Sequence, residues 1–318
     1  MMVNHAKIRL TSVKDIVTFT QSPTTYRIML QNRIQPLYFA YGSNLNKHDW
    51  NRGGFRPPFD AVFEKVANAW LPDHAPAFTY HSTVRNGGVL DIVERIGCCV
   101  PGALFRLKNQ RGWESLCFKE GTPYGVTIKR VLSSDNQYVQ AFTFTIRPEY
   151  FGGNFVAPSE EYVEVVRKGL RRHRLPTDIL DAIADGEPAP AVNQFFCYGT
   201  LRRGDCRYSV MDALGILSER HGKVRGRLHN CGAYPAITLD APQKAVVHGD
   251  FIQVCNLDEA FRRLDTIEGY RPNGNHNLYN RRLVPVRLDD RSVRIAWIYE
   301  YARPLPETVI ASGDWLKR

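Results

Sequence analysis

The 318-residue chain reads as an α+β protein of two tandem domains, each a mixed β-barrel-like sheet with a few flanking helices. A repeated segment carries most of that expectation: FAYGSNL at Phe39–Leu45 and FCYGTLR at Phe196–Arg202 each end an apolar run in Tyr-Gly-(Ser/Thr), about one domain length apart. The order of later landmarks repeats too. GALFRL begins at Gly102 and KEG follows with Glu120; GDFIQV begins at Gly249 and IEG follows with Glu268. Eighteen positions separate glycine from acid in the first copy and nineteen in the second. Finally, short strand-like runs bounded by Gly, Asn and Pro outnumber helical ones, as a barrel-like sheet requires.

Residues 1–36 form an extension with IVTFT and TYRIML as short strand candidates and no assigned role. The first domain, 37–184, opens on LYFAYG, a compact apolar and aromatic strand that ends where glycine permits an abrupt turn. AFTYHS, GGVLDIVE, GALFRL, Gly125–Leu132 and YVQAFTFTI continue it as strands, and WESLCFKE is a short helix leading into Glu120. A helical stretch from Ser159 to Ala184 closes it, broken at Leu175-Pro176 because proline disfavours the α conformation in the residue before it. DGEPAPAV, 185–192, is the linker. The second domain, 193–303, runs through CYGTLRRG, GAYPAI, AVVHGDFIQV, LDEAFRRLDTIEGY, LYNRRLVPVRL and VRIAWIYEY, and 304–318 is a C-terminal tail.

A hydrophobic fraction of 43% with 23% charged residues is that of a globular protein. No run of about 20 apolar residues is present, and the first thirty residues lack the apolar centre of a secretory signal, so a cytoplasmic protein without membrane contact is expected. The seven cysteines contain no CxxC and the nine histidines no HExxH, and no GxGxxG or GxxxxGK[ST] occurs. The expectation is no metal and no cofactor. The formal charge of +10 is densest in RKGLRRHR, Arg167–Arg174, where Tyr162, Val165, Val166 and Leu170 recur at helical spacing and leave the basic residues on the outer face. That reads as a solvated helix face, with nucleic-acid contact as the alternative.

A strand that ends in YG[ST] can aim successive backbone N–H groups into a concavity that binds a carboxylate. Each copy then supplies one acid before a glycine, Glu120-Gly121 and Glu268-Gly269. A buried carboxylate with its pKa raised toward neutrality can take a proton from an amine and return it to a leaving group. Glycoside hydrolysis is disfavoured, because it needs both carboxylates on one sugar and these belong to different repeats.

These residues resemble the gamma-glutamylcyclotransferase superfamily. YGSNL, GGV at Gly87 to Val89, KEG and the basic tail helix are similar to its gamma-glutamylcyclotransferase branch; YGTLRRG, VRGRL, GAYPAI, VHGDF, LDTIEGY and LYNRR follow the order of the gamma-glutamylamine cyclotransferase branch. The resemblance implies two gamma-glutamylcyclotransferase-like domains that release 5-oxoproline and an amine from a small-molecule gamma-glutamyl amide without a cofactor. It makes Glu120 and Glu268 the acid/base residues. It makes Tyr41, Gly42, Ser43, Asn44 and Leu45, with Tyr198, Gly199, Thr200 and Leu201, the loops that hold the glutamyl moiety, and places Tyr279 at the second pocket. In the first copy Thr127 stands where that tyrosine is expected, with Tyr124 earlier, which makes the first domain the candidate for a binding or structural role. The readings left open are two active domains, an active second domain alone, and a basic nucleic-acid-associated protein; the assembly is a monomer or a homodimer.

Overall fold

The structure, a computed structural model, describes residues 18–19 and 37–318 apart from 242–244 and 273. TYRIML therefore lies outside the described residues, and of IVTFT only β1, Thr18–Phe19, is described. The first half continues with β2 (Leu37–Ala40), α1 (Lys47–Arg52), α2 (Phe59–Val62), β3 (Phe63–Ser82), β4 (Gly87–Leu107), α3 (Gln110–Glu120), β5 (Tyr124–Ser133), β6 (Tyr138–Ile146), α4 (Glu160–Arg172) and α5 (Asp178–Ala184). The second half holds β7 (Gln194–Cys197), α6 (Tyr208–Asp212), β8 (Ile216–Arg225), β9 (Arg227–Asn230), β10 (Pro235–Thr238), β11 (Val246–Val254), α7 (Leu257–Ile267), β12 (Tyr279–Leu288) and β13 (Val293–Tyr301).

Two five-stranded barrels result, and they share one topology. In the first, β5, β3, β4, β2 and β6 are neighbours in that order and β6 returns to β5. In the second, β12, β8, β11, β7 and β13 close in the same way. Every pairing is antiparallel except β2 with β6 and β7 with β13, which occupy the same place in each ring. The repeated strands LYFAYG and FFCYG are thus the one parallel element of each mixed barrel. β1 lies outside the ring, with Thr18 opposite Thr127.

The shared glycines have a packing cause. A Cβ at Gly102 would lie 2.4 Å from the carbonyl oxygen of Ala40 and 2.6 Å from the Phe39 ring. A Cβ at Gly249 would lie 2.5 Å from the carbonyl oxygen of Cys197 and 2.6 Å from the Phe196 ring. At the same point of each barrel the neighbouring strand needs a residue with no side chain. Phe39, Leu104, Phe105, Trp113 and Phe144 fill the first core, and Val224, Val247, Val284, Val286 and Ile298 are among those filling the second.

The copies differ between turn and glycine. AFTYHS and GGVLDIVE, read as separate strands, are the outer ends of β3 and β4, a hairpin of 20 and 21 residues that extends past the barrel. The second copy instead sets β9 and β10 apart as a two-stranded ribbon. The helical stretch after the first barrel is two helices: Ser159 caps α4 by accepting from the Tyr162 amide, and α5 follows Pro176. α4 buries Tyr162, Val163, Val166 and Leu170, while Arg171, Arg172 and Arg174 face outward and Arg167 pairs with Glu164 and Asp181. Among the described residues no helix is long and apolar enough to cross a membrane.

The segment 304–318, read from the sequence as a tail, folds back onto the second barrel. Ile310 N–H donates to Leu228 O, Trp315 is buried, and Asp314 accepts from the buried Arg202, which also makes a two-point bond to Asp250. The stretch 185–192 is held by both halves: Val192 N–H donates to Gly97 O at 2.8 Å, and the Trp297 indole donates to Val192 O at 2.8 Å.

Candidate active sites

In both copies a helix delivers the acid. α3 starts at Asn109, whose side chain accepts from Gly112 N–H at 2.8 Å, and α7 starts at Asn256, whose side chain accepts from Glu259 N–H at 3.0 Å. Both end at a glycine in the left-handed region, Gly121 with φ 72° and Gly269 with φ 59°. The Glu-Gly pair is therefore a helix terminus: glycine stops the helix, and the glutamate before it faces the barrel mouth. The negative end of the helix dipole lies there and disfavours an ionised carboxylate.

Glu120 shares a cavity of about 420 Å³ with Tyr41, Gly42, Ser43 and Asn44. Its carboxylate accepts from Asn44 Nδ2 at 2.5 Å, and the same amide donates to the Tyr38 hydroxyl at 2.8 Å. Lys119 Nζ donates to Asn44 Oδ1 at 2.6 Å, Ser43 Oγ at 3.1 Å and Asp49 Oδ2 at 3.1 Å. Arg85 makes a two-point bond to Asp49, at 2.9 and 2.8 Å. Burial raises the Glu120 carboxyl above its ordinary value, against the opposing pull of Lys119, Asn44, Arg85 and Tyr38. Burial also pushes the Lys119 ammonium down, with Asp49 and Glu120 opposing.

Glu268 shares a smaller cavity, about 120 Å³, with Tyr198, Gly199, Thr200, Leu201 and Tyr279. The three side chains that engage Glu120 or its amide have apolar counterparts here: Tyr38 becomes Phe195, Asn44 becomes Leu201 and Lys119 becomes Ile267. Burial pushes the Glu268 carboxyl up to about 7, with Arg207 pulling the other way. The turns themselves match. Tyr41 hydroxyl donates to Phe144 O at 2.6 Å and Tyr198 hydroxyl to Tyr299 O at 2.7 Å; Leu45 N–H donates to Gly42 O and Arg202 N–H to Gly199 O, both at 3.0 Å.

One predicted site residue is displaced from its pocket. Leu45 is fully buried beneath α4, where a Cβ on Gly169 would come within 2.7 Å of it and where its carbonyl meets the His173 ring at 3.1 Å, so it anchors the helix. The expected tyrosine of the first copy is also relocated. Tyr124 opens β5 opposite Ile146, as Tyr279 opens β12 opposite Tyr301, and each lines its pocket and donates to a backbone carbonyl, Leu90 O at 2.7 Å and Pro235 O at 2.6 Å. Thr127 is buried inside the strand with its hydroxyl against Thr145 at 3.0 Å. The loop from acid to tyrosine is shorter in the first copy, which offset the sequence comparison. Tyr38, Arg85, Arg207 and the pocket face of Lys119 had no signal in the repeat, because their counterparts are different residue types or lie on the divergent hairpin.

The family described as gamma-glutamyl cyclotransferase, AIG2-like, matches residues 195–317, from β7 through Trp315. A Halalkalibacterium halodurans protein named as a gamma-glutamylcyclotransferase is 37% identical over 94 residues, 29% of this chain and 80% of that protein. The chain belongs to the gamma-glutamylcyclotransferase family. The gamma-L-glutamyl-butirosin B gamma-glutamyl cyclotransferase of Niallia circulans is 31% identical over 110 residues, 34% of this chain and 66% of that protein. Among solved structures, a gamma-glutamyl cyclotransferase aligns with a TM-score of 0.39 at 23% identity over 46% of this chain and 85% of its own. YkqA of Bacillus subtilis aligns with a TM-score of 0.35 at 13% identity over 86% of this chain and 89% of its own. The family match takes in residues 304–317, so the C-terminal segment belongs with the second gamma-glutamylcyclotransferase-like barrel.

Proposed function

We propose that each barrel cyclises a gamma-glutamyl amide to 5-oxoproline and a free amine without a cofactor. The observation that carries the reading is the same constellation built twice: a glutamate at a helix terminus, a Tyr-Gly-(Ser/Thr) turn and a tyrosine at the head of the next strand, gathered around one cavity. The substrate's α-amino nitrogen attacks its own γ-carbonyl carbon, the new C–N bond closes a five-membered ring, and the old amide C–N bond breaks. The glutamate accepts a proton from the ammonium and delivers it to the departing amine, and the second proton that the same nitrogen sheds as the lactam forms also ends on that amine, which leaves as its ammonium. Orientation does most of the remaining work, since a well-placed intramolecular attack can lower a barrier by about 7–11 kcal/mol. The turn amides would hold the α-carboxylate, with Lys119 and Arg85 in the first pocket and Arg207 in the second supplying positive potential.

Tyr124 in the place of Tyr279 removes the reason for treating the first barrel as inactive, so the reading covers both. The test is 5-oxoproline release, by mass spectrometry, from a panel of gamma-glutamyl dipeptides and amines with the full chain and its Glu120→Gln and Glu268→Gln variants. Each substrate should be lost with one variant, and undiminished release by the double variant would overturn the mechanism.

A further inference from the structure

The mouth of the first cavity has an unusual lining. Val84, on the tip between β3 and β4, is 89% exposed, and Phe118, two residues from the end of α3, is 81% exposed, yet both line the same cavity as Glu120. Phe55 joins them, its ring edge-on to Phe118 with centroids 6.4 Å apart, and Tyr80 completes the wall. Large apolar side chains left this open lose nothing by waiting for a ligand and gain when one covers them.

The cavity's two cations are already committed to an internal acid. Arg85 spends both terminal nitrogens on Asp49, and Lys119 reaches inward to Ser43, Asn44 and Asp49 with its side chain 6% exposed. Both cations lining this cavity are thus paired with Asp49, and the lining beside Val84 on the tip includes the uncharged Ser82 and Thr83. A carboxylate on the departing amine would meet, among the cations lining the cavity, only ones already paired with Asp49, and an aliphatic or aromatic group would meet a matching surface. The second mouth lacks this pairing: its apolar lining is buried or half-buried, and the exposed Arg207 stands beside the acid.

Resting on the cyclisation reading, we infer that Val84, Phe118 and Phe55 form the leaving-group subsite of the first barrel, and that it selects gamma-glutamyl amides of uncharged aromatic or aliphatic amines. Binding tests this apart from turnover. The full-length Glu120→Gln/Glu268→Gln protein is titrated calorimetrically with gamma-glutamyl-phenethylamide, gamma-glutamyl-methylamide and gamma-glutamylglutamate. The phenethylamide should bind about tenfold more tightly than the methylamide, the scale of a few buried carbons. Adding Val84→Ala and Phe118→Ala, both at exposed positions that the fold does not rely on, should close that gap. Equal affinities, no binding, a gap that survives both substitutions, or a preference for gamma-glutamylglutamate each overturns the assignment. Failure of the wild-type chain to release 5-oxoproline from any of the three would instead overturn the cyclisation reading, while the order of affinities still reports on the rim.

Discussion

Replacing Glu268 with Gln takes an ionisable group out of a pocket in which Arg207 is the lining cation, and the stability of the chain should respond in a pH-dependent way. Burial lifts this carboxyl from 4.5 to about 7. Below the lower value the group is protonated in folded and unfolded chains alike, and the fold bears no penalty. As pH rises, the unfolded chain ionises first and the stability contributed by the neutral carboxyl is lost until the folded pKa is passed. The shift amounts to about 3 kcal/mol withheld from the folded state above neutrality. Glutamine is neutral throughout, so its own packing adds a constant offset and the pH-dependent part isolates the carboxyl. Urea denaturation of wild type and Glu268→Gln, followed by tryptophan fluorescence, would be run at about pH 4.5 and about pH 8.5. The variant's relative stability should rise by about 3 kcal/mol between the two conditions. A difference that does not change with pH would refute the buried, weakly partnered carboxyl and with it the poise assigned to the second site.

Two further outcomes follow from the geometry. Asn44→Leu, which installs the residue of the second copy, removes the 2.5 Å bond that opposes burial at Glu120; the pH-rate profile of substrates assigned to the first barrel should shift its acidic limb to higher pH, read from initial rates of 5-oxoproline release. Gly102→Ala or Gly249→Ala should each destabilise its own barrel by about 1–3 kcal/mol in denaturant titrations, because the added carbon would sit 2.4 Å or 2.5 Å from a backbone oxygen.

Much of the fold was legible because the repeat preserves what closes a barrel. The Tyr-Gly turn, the glycine under the neighbouring strand and the Glu-Gly helix end each answer a local steric or conformational demand that both copies must meet, so they survive as recognisable letters. The long β3–β4 hairpin was misread as separate strands because its register shifts, between Lys65 and Ala67, Pro72 and His74, and Phe78 and Tyr80, break the alternation that marks one continuous strand. The place of Tyr124 was missed because sequence distance from the acid is set by a loop, whereas its position at the head of β5 is set by register. Leu45 shared the turn's motif but points where α4, far along the chain, needs an anchor. Trp315 lay in what read as a tail because the bonds that hold the segment, Arg202 to Asp250 and Asp314 and the Trp315 indole to Asp205, join residues far apart in sequence.

The two sites show how one backbone solution can be tuned by neighbours alone. Both glutamates sit at the end of a helix, which together with burial favours the protonated form. The first site offsets that tendency with an amide, a phenol and an ammonium; the second replaces all three with apolar residues and leaves Arg207 to act. A carboxyl poised near 7 can both accept and return a proton at neutral pH, so on the proposed reaction the second site would gain a shuttle from its apolar surroundings. The first site sets Lys119, Asn44, Arg85 and Tyr38 against the effect of burial on its glutamate, and on the proposed reaction Lys119 and Arg85 would favour binding of the α-carboxylate. On the proposed reading, one reaction would be divided differently between binding and proton transfer in the two barrels, and exchange of residues 38, 44 and 119 with 195, 201 and 267 should carry one balance toward the other.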